Sequence, residues 1–192
     1  MTAQQETSSA DVVLTALLSG IDQEIAEELR REQQLTDDSG SAQTLTEIGR
    51  HICFTLAGQH LAVPLSLVIE VGELETVRPL PFLPSWSEGV TNLRGEIVSV
   101  TNLAVLFKIT EKIPKKGRTV IILHEKGMKT AAIVDKITGT RLLYRKEGMK
   151  HLDAAAVPVD FISGSALFLA ENGEHELELF DGSKLLSSIR LQ

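Results

Sequence analysis

Cysteine, tryptophan and tyrosine each occur once in these 192 residues. A lone Cys53 can form no internal disulfide and cannot build a thiolate zinc cluster, which fits a reducing compartment and a buried strand thiol. The scarcity of aromatic rings leaves few platforms for stacking bases, and a net charge of -7 opposes a phosphate backbone, so nucleic acid is not an expected partner. Near the N-terminus there is no basic region of a secretory signal, and the short run "VVLTALL" passes quickly into acidic residues. Neither export nor direct membrane insertion is therefore expected, and the chain reads as cytoplasmic.

The groups that carry chemistry are also missing in pattern. The five histidines, His51, His60, His124, His151 and His175, show no metal-ligand spacing and read as strand or loop residues. Glycines are scattered singly at turns rather than gathered into a phosphate loop, and "SGSA" at 163 to 166 lacks the second glycine of a nucleophile elbow. No catalytic, cofactor-binding or metal-binding residues are expected.

What is present begins with a helical stripe. Over residues 11 to 33, Leu14, Leu17, Leu18, Ile21 and Ile25 recur at three- and four-residue steps with acidic residues largely elsewhere, after a capping box from Ser8 to Asp11. Residues 1 to 33 thus read as an amphipathic helical extension whose stripe can dock on its own domain, on a second copy or on another protein. Turn formers without apolar period make 34 to 46 a linker, leaving 47 to 190 as the main domain.

From Ile48 the apolar period shortens to two. "RHICFTLAGQHLAVPL" reads as a hairpin broken at Gly58 and Gln59, followed by strand candidates "LVIEV" from 67, "EIVSVTNL" from 96, "RTVIILHE" from 118, "KTAAIVDKI" from 129 and "TRLLY" from 140. In "ALFLAENGEHELELF", Asn172 and Gly173 signal a type I′ turn, with Leu177 and Leu179 pointing inward and Glu176 and Glu178 toward water. So many short strands without intervening long helices predict an all-β barrel or sandwich, or two small barrels sharing a core. The loop "KITEKIPKKGR" gathers Lys108, Lys112, Lys115, Lys116 and Arg118 in an otherwise acidic chain, as a solvated loop or a contact for an acidic partner.

One stretch breaks the apolar rhythm: "TNLRGEIVSV" sets Asn92, Arg94 and Gly95 at the mouth of a strand. An arginine there either pairs with a carboxylate to fix two segments or presents its planar fork to a partner. Glu70, the charge inside "LVIEV", is the natural carboxylate, since an apolar strand rarely tolerates a charge lacking a partner or an exposed face. Gly95 supplies a conformation or close approach that a side chain would obstruct.

These blocks, in order "LAVPLSLVIEV", "VRPLPFLPSWSEGVTNLRGEIVSVTNLAVLF", "RTVIILHEKGMKTAAIVDKITGTRLL" and "ELELFDGSKLL", resemble the CheW-like domain of bacterial chemotaxis systems from about Ile48 to Leu186. The resemblance implies a mainly β fold of two SH3-like five-stranded β-barrels around a common core, here with an extra N-terminal α-helix. It implies an adaptor without enzymatic activity or cofactor, whose partners are a CheA-type histidine kinase and the cytoplasmic tip of a methyl-accepting chemoreceptor, and which is recruited to membrane receptor arrays. Receptor contact would fall on Val68, Glu70, Asn92, Arg94 and Gly95, and kinase contact on Thr119, Val120, Ile133, Asp135 and Ile137.

The chain departs from the family pattern at Ser99 and Asn102, where a proline and an aspartate are usual, so any ion pair of that aspartate is lost. The N-terminal extension suggests a specialised output such as twitching motility or phototaxis. Two rival readings are a CheW-like competitor that sequesters the kinase and a small β-barrel enzyme assembled from scattered polar residues.

Overall fold

The computed structural model describes residues 44–74, 76–109, 118–149 and 156–190. The stripe Leu14, Leu17, Leu18, Ile21 and Ile25, and Lys112, Lys115 and Lys116 of the basic loop, lie outside the described residues. In chain order come strands β1 (Leu45–Leu56), β2 (Gln59–Pro64), β3 (Val68–Leu74), β4 (Ser87–Leu93) and β5 (Glu96–Asn102), then a single helical turn, α1 (Leu103–Leu106). Strands β6 (Arg118–Glu125), β7 (Met128–Val134), β8 (Lys136–Lys146), β9 (Ile162–Ala170) and β10 (Gly173–Phe180) follow, and helix α2 (Gly182–Ser188) ends the set.

The strands form two sheets. β1-β2-β10-β9-β8 closes into a barrel, whereas β3-β6-β7-β5-β4 is a five-stranded sheet. The expectation of two barrels is corrected to that extent. The edges β3 and β4 share no ladder; the chain leaving β3 meets β4 at an isolated bridge between Arg78 and Val90 and where Thr91 Oγ1 donates to Thr76 O at 2.8 Å. That bridge has both backbone hydrogen bonds, at 2.8 and 2.9 Å, and Gly89 makes the approach possible because a Cβ there would collide with the Arg78 carbonyl.

Alternation along the strands builds three apolar layers. Cys53, Ala62, Leu143, Ala166, Leu177 and Leu179 fill the barrel, while Val98, Val100, Val120, Ile122, Ala131 and Ile133 form an inner layer on one face of the second sheet. The opposite faces of β1, β2, β6 and β7 supply Ile52, Phe54, Leu56, Leu61, Val63, Ile121, Leu123, Ala132 and Val134 to one core shared by both sheets. These strands are apolar on both faces, which is why "ICF" at 52 to 54 and "VIIL" at 120 to 123 run without polar interruption. Leu103 and Phe107 from the α1 turn and Leu185, Leu186 and Ile189 at α2 complete the shared layer.

Several local expectations change. The first hairpin turns on Ala57 and Gly58, both at positive φ, and Gln59 already belongs to β2. At the last hairpin Gly173 pairs with Ala170, so Glu171 and Asn172 form the loop and only Gly173 has positive φ; the type I′ pair is displaced. Glu178 does not face water: it is buried beside Gln59, whose amide donates to its carboxylate and whose Oε1 accepts from Val157 N at 2.9 Å. The reason is the position of β10, inside the barrel wall between β2 and β9, with its outer face covered. Strand β4 and the two short helices were not foreseen, because "SEGVTNL" is too polar to show a strand period and both helices are shorter than a readable helical repeat.

Burial pushes the Cys53 thiol up to about 11, partly offset by the charge of Arg141. Native Cys53 should therefore resist a thiol reagent at pH 8 and react rapidly only in denaturant; equal rates in both would contradict its burial. A raised thiol value favours the folded state below pH 9 and withdraws that contribution as pH climbs toward 11. Phe180 contacts the rings of Phe54 and Phe107, with centroids 5.9 and 6.3 Å away, across the shared layer. Phe180→Ala should cost about 3–5 kcal/mol and lower hydrogen-exchange protection in β2 and β7 together; loss confined to the barrel would contradict a single cooperative core.

Candidate interaction site

Leu93 pairs with Glu96, so Arg94 and Gly95 form a two-residue hairpin loop between β4 and β5. Their φ values of 50° and 91° have the sign that a type I′ turn requires, whose twist matches the flanking strands. Asn92 completes the turn, its Oδ1 accepting the Gly95 N–H at 2.8 Å. An L-residue in the left-handed region costs about 1 kcal/mol, which asparagine or glycine would largely avoid. Arg94 shares this backbone sign with Ala57, Phe82, Lys108 and Lys126, so the turn accepts a non-glycine residue here at a modest cost.

That side chain reaches across to β3. Arg94 Nη2 donates to Glu70 Oε1 at 2.9 Å, with the arginine 80% and the glutamate 29% exposed. A pair this exposed contributes at most about 1 kcal/mol to folding. Its clearer effect is to hold the guanidinium at the surface over the gap between the two sheet edges. Glu70 shares a strand face with Leu74, which lines the inner layer, and a register shift between Val68 and Glu70 re-aims the strand there.

Exposed apolar side chains occur on the opposite faces of the same strands. Ile69 and Val71 are exposed beside Glu70, and Ile97, 78% exposed, lies opposite Asn92 across the hairpin. Reading the sequence missed all three as surface residues, although β-branched residues at the outward positions of an edge hairpin are a usable signal. Glu70, Asn92, Arg94 and Gly95 are thus gathered at one end of the second sheet, whereas Val68 is half-buried against the shared core.

The second predicted set separates. Val120 and Ile133 are at most 4% exposed and belong to the inner layer of the second sheet, so direct contact with a partner is closed to them. Thr119 is half-buried, and Ile137 packs half-buried on the shared core. Asp135 is exposed and ties the sheets together: its Oδ2 accepts from Ala57 N at 2.6 Å and its own N–H donates to Thr55 O at 3.0 Å. On β5, Glu96 is held below the usual carboxylate range by its hydrogen bond and ion pair with Lys129.

Asn102 sits in a polar cluster behind the hairpin. Its Nδ2 donates to Glu88 Oε1 at 2.7 Å, its Oδ1 accepts from Val105 N at 3.2 Å, and the other Glu88 oxygen pairs with Arg118 Nη1. Arg118 Nε is buried without a partner among the described residues. An amide rather than a carboxylate at 102 suits Glu88, because two carboxylates at that distance would compete for one guanidinium. Aspartate would cap α1 as well as asparagine does, so Asn102→Asp isolates the contact with Glu88. The variant should lose about 1–3 kcal/mol at pH 7. Repulsion raises the folded value of the carboxylate pair, so the deficit should shrink below about pH 4 and grow as pH rises. Urea denaturation showing no pH-dependent deficit would contradict this arrangement.

A model of the CheW-like domain family matches residues 50–190. A relative from Klebsiella aerogenes named chemotaxis protein CheW is 30% identical over 139 residues, covering 71% of this chain and 81% of its own. Another of the same name from Treponema pallidum is 26% identical over 146 residues, covering 73% and 84% respectively. The crystal structure of scaffolding protein TtCheW from Thermoanaerobacter tengcongensis shares the fold, with a TM-score of 0.55 at 22% identity over 69% of this chain and 88% of that one.

Proposed function

Because the chain belongs to the CheW-like domain family, we propose that it is a chemotaxis-type adaptor, not an enzyme, coupling a methyl-accepting chemoreceptor to a CheA-type histidine kinase. The observation that carries this reading is Arg94, held on a strained two-residue turn with its guanidinium exposed and oriented by Glu70. A side chain retained at a conformational cost, while contributing little to folding, is what a contact surface needs.

In this reading the receptor tip meets Arg94, Glu70, Asn92 and Gly95, with Ile69 and Ile97 exposed on the neighbouring positions of β3 and β5. Thr119, Asp135 and Ile137 face the kinase, and Val120 and Ile133 act only by shaping the strands that carry them. The apolar positions Leu14, Leu17, Leu18, Ile21 and Ile25, outside the described residues, would supply a further docking element. Coupling then requires no chemistry: the adaptor holds both partners in one geometry, and differential contacts bias the kinase between active and inactive populations. The adaptor works in the cytoplasm at receptor arrays, in keeping with the absence among the described residues of any helix long and apolar enough to cross a membrane.

Arg94→Ala should weaken binding to a receptor cytoplasmic fragment by about tenfold, as expected for loss of a charge-assisted contact, and reduce kinase stimulation in a reconstituted mixture. Its unfolding free energy should stay within about 1 kcal/mol of the parent. Equal receptor binding and equal stimulation by variant and parent would overturn the role of Arg94.

A further inference from the structure

The closed barrel does not end its interior in apolar residues at both mouths. Beyond Ala62, Leu143, Ala166 and Leu177, the next interior-facing positions are His60 on β2, Arg141 on β8, Phe168 on β9 and His175 on β10. These side chains line a cavity of about 180 Å³ with Cys53 at its apolar end. His60 and Arg141 are exposed at this rim, and Phe168 and His175 are half-buried.

The walls have a defined chemistry. Phe168 and His175 stack with centroids 5.1 Å apart and an interplanar angle of 14°, and His175 is fixed by a 2.8 Å hydrogen bond to Asn172 Oδ1. The Arg141 guanidinium lies 5.5 Å from the centre of the Phe168 ring and has no carboxylate partner among the described residues. Glu176 also borders the cavity, but alternation along β10 places it on the face opposite His175 and Leu177. A guanidinium positioned over an aromatic ring, with no carboxylate paired to it among the described residues, can take a planar anion in its fork. The volume suits one ring, since cavities of about 150 Å³ accept benzene, and the mouths of β-barrels are recurrent small-molecule sites.

We propose that the mouth of the barrel binds a small single-ring carboxylate, its carboxylate on Arg141 and its ring against the Phe168–His175 pair. The site lies in the barrel and the receptor-facing residues in the second sheet, so it stands or falls apart from the adaptor reading.

The test is titration of the full chain with benzoate, followed by amide and methyl NMR. Saturable shifts should centre on Ala62, Leu177 and His175. The neutral isostere benzamide and the ringless acetate should each bind about tenfold more weakly, as loss of a charge-assisted contact or of ring burial requires. Arg141→Gln should weaken benzoate binding by about tenfold and Arg141→Lys by less, because lysine keeps the charge but loses the fork. Spectra of both variants without ligand report whether the barrel is intact. Absence of saturable shifts in the parent, or equal benzoate affinity in parent and Arg141→Gln, would overturn the site. Benzamide binding as tightly as benzoate would overturn its anion selectivity, and acetate doing so would overturn the ring.

Discussion

Four strands buried on both faces are the constraint from which the rest follows. β1, β2, β6 and β7 each serve an inner layer with one set of side chains and the shared core with the other. A slip of one residue in any of them would exchange the two sets and spoil both layers at once, so their register is doubly specified. The barrel and the second sheet are consequently two lobes of one folding unit, tied further by Asp135 where its carboxylate meets the Ala57 N–H.

With register fixed in the middle, irregularity is confined to the edges, and the candidate interaction site is found there. β3 and β4 are the margins of the second sheet, each paired on one side, and the chain leaving β3 reaches β4 at the Arg78–Val90 bridge beside Gly89. An exposed edge invites pairing with another chain. Here it is spanned by the Glu70–Arg94 pair, and Ile69 and Ile97 are exposed on the neighbouring positions of β3 and β5. The cluster of Asn102, Glu88 and Arg118 supports the same margin from within, anchoring β4 to the start of β6 and to the α1 turn.

What could be read in the sequence follows from the same physics. Strands with strong apolar character announced themselves: β6 begins and ends where "RTVIILHE" does, and β5 was found from Glu96. The pairing of Arg94 with Glu70 was also legible, because a charge inside "LVIEV" demanded a partner. Strand β4 was not, since its polar sequence is paired through backbone and carries little apolar period. Without β4, Arg94 and Gly95 looked like the approach to a strand rather than a hairpin turn. Val120 and Ile133 could not be told from surface strand residues, because periodicity locates a face but not which face a neighbouring sheet will cover. Glu178 shows the converse: its alternation with Leu177 and Leu179 predicted water, and the covering of β10 by the chain at Val157 made it a buried partner of Gln59.

The central claim is that the Glu70–Arg94 pair serves contact with a partner more than the fold. A double-mutant cycle with Glu70→Ala, Arg94→Ala and the combined variant tests this directly, measured once by urea unfolding and once by affinity for a receptor cytoplasmic fragment. The account predicts a coupling below about 1 kcal/mol in unfolding, as for an exposed ion pair, and a distinctly larger one in binding. Coupling as large in unfolding as in binding would make the pair a structural strut and contradict the account.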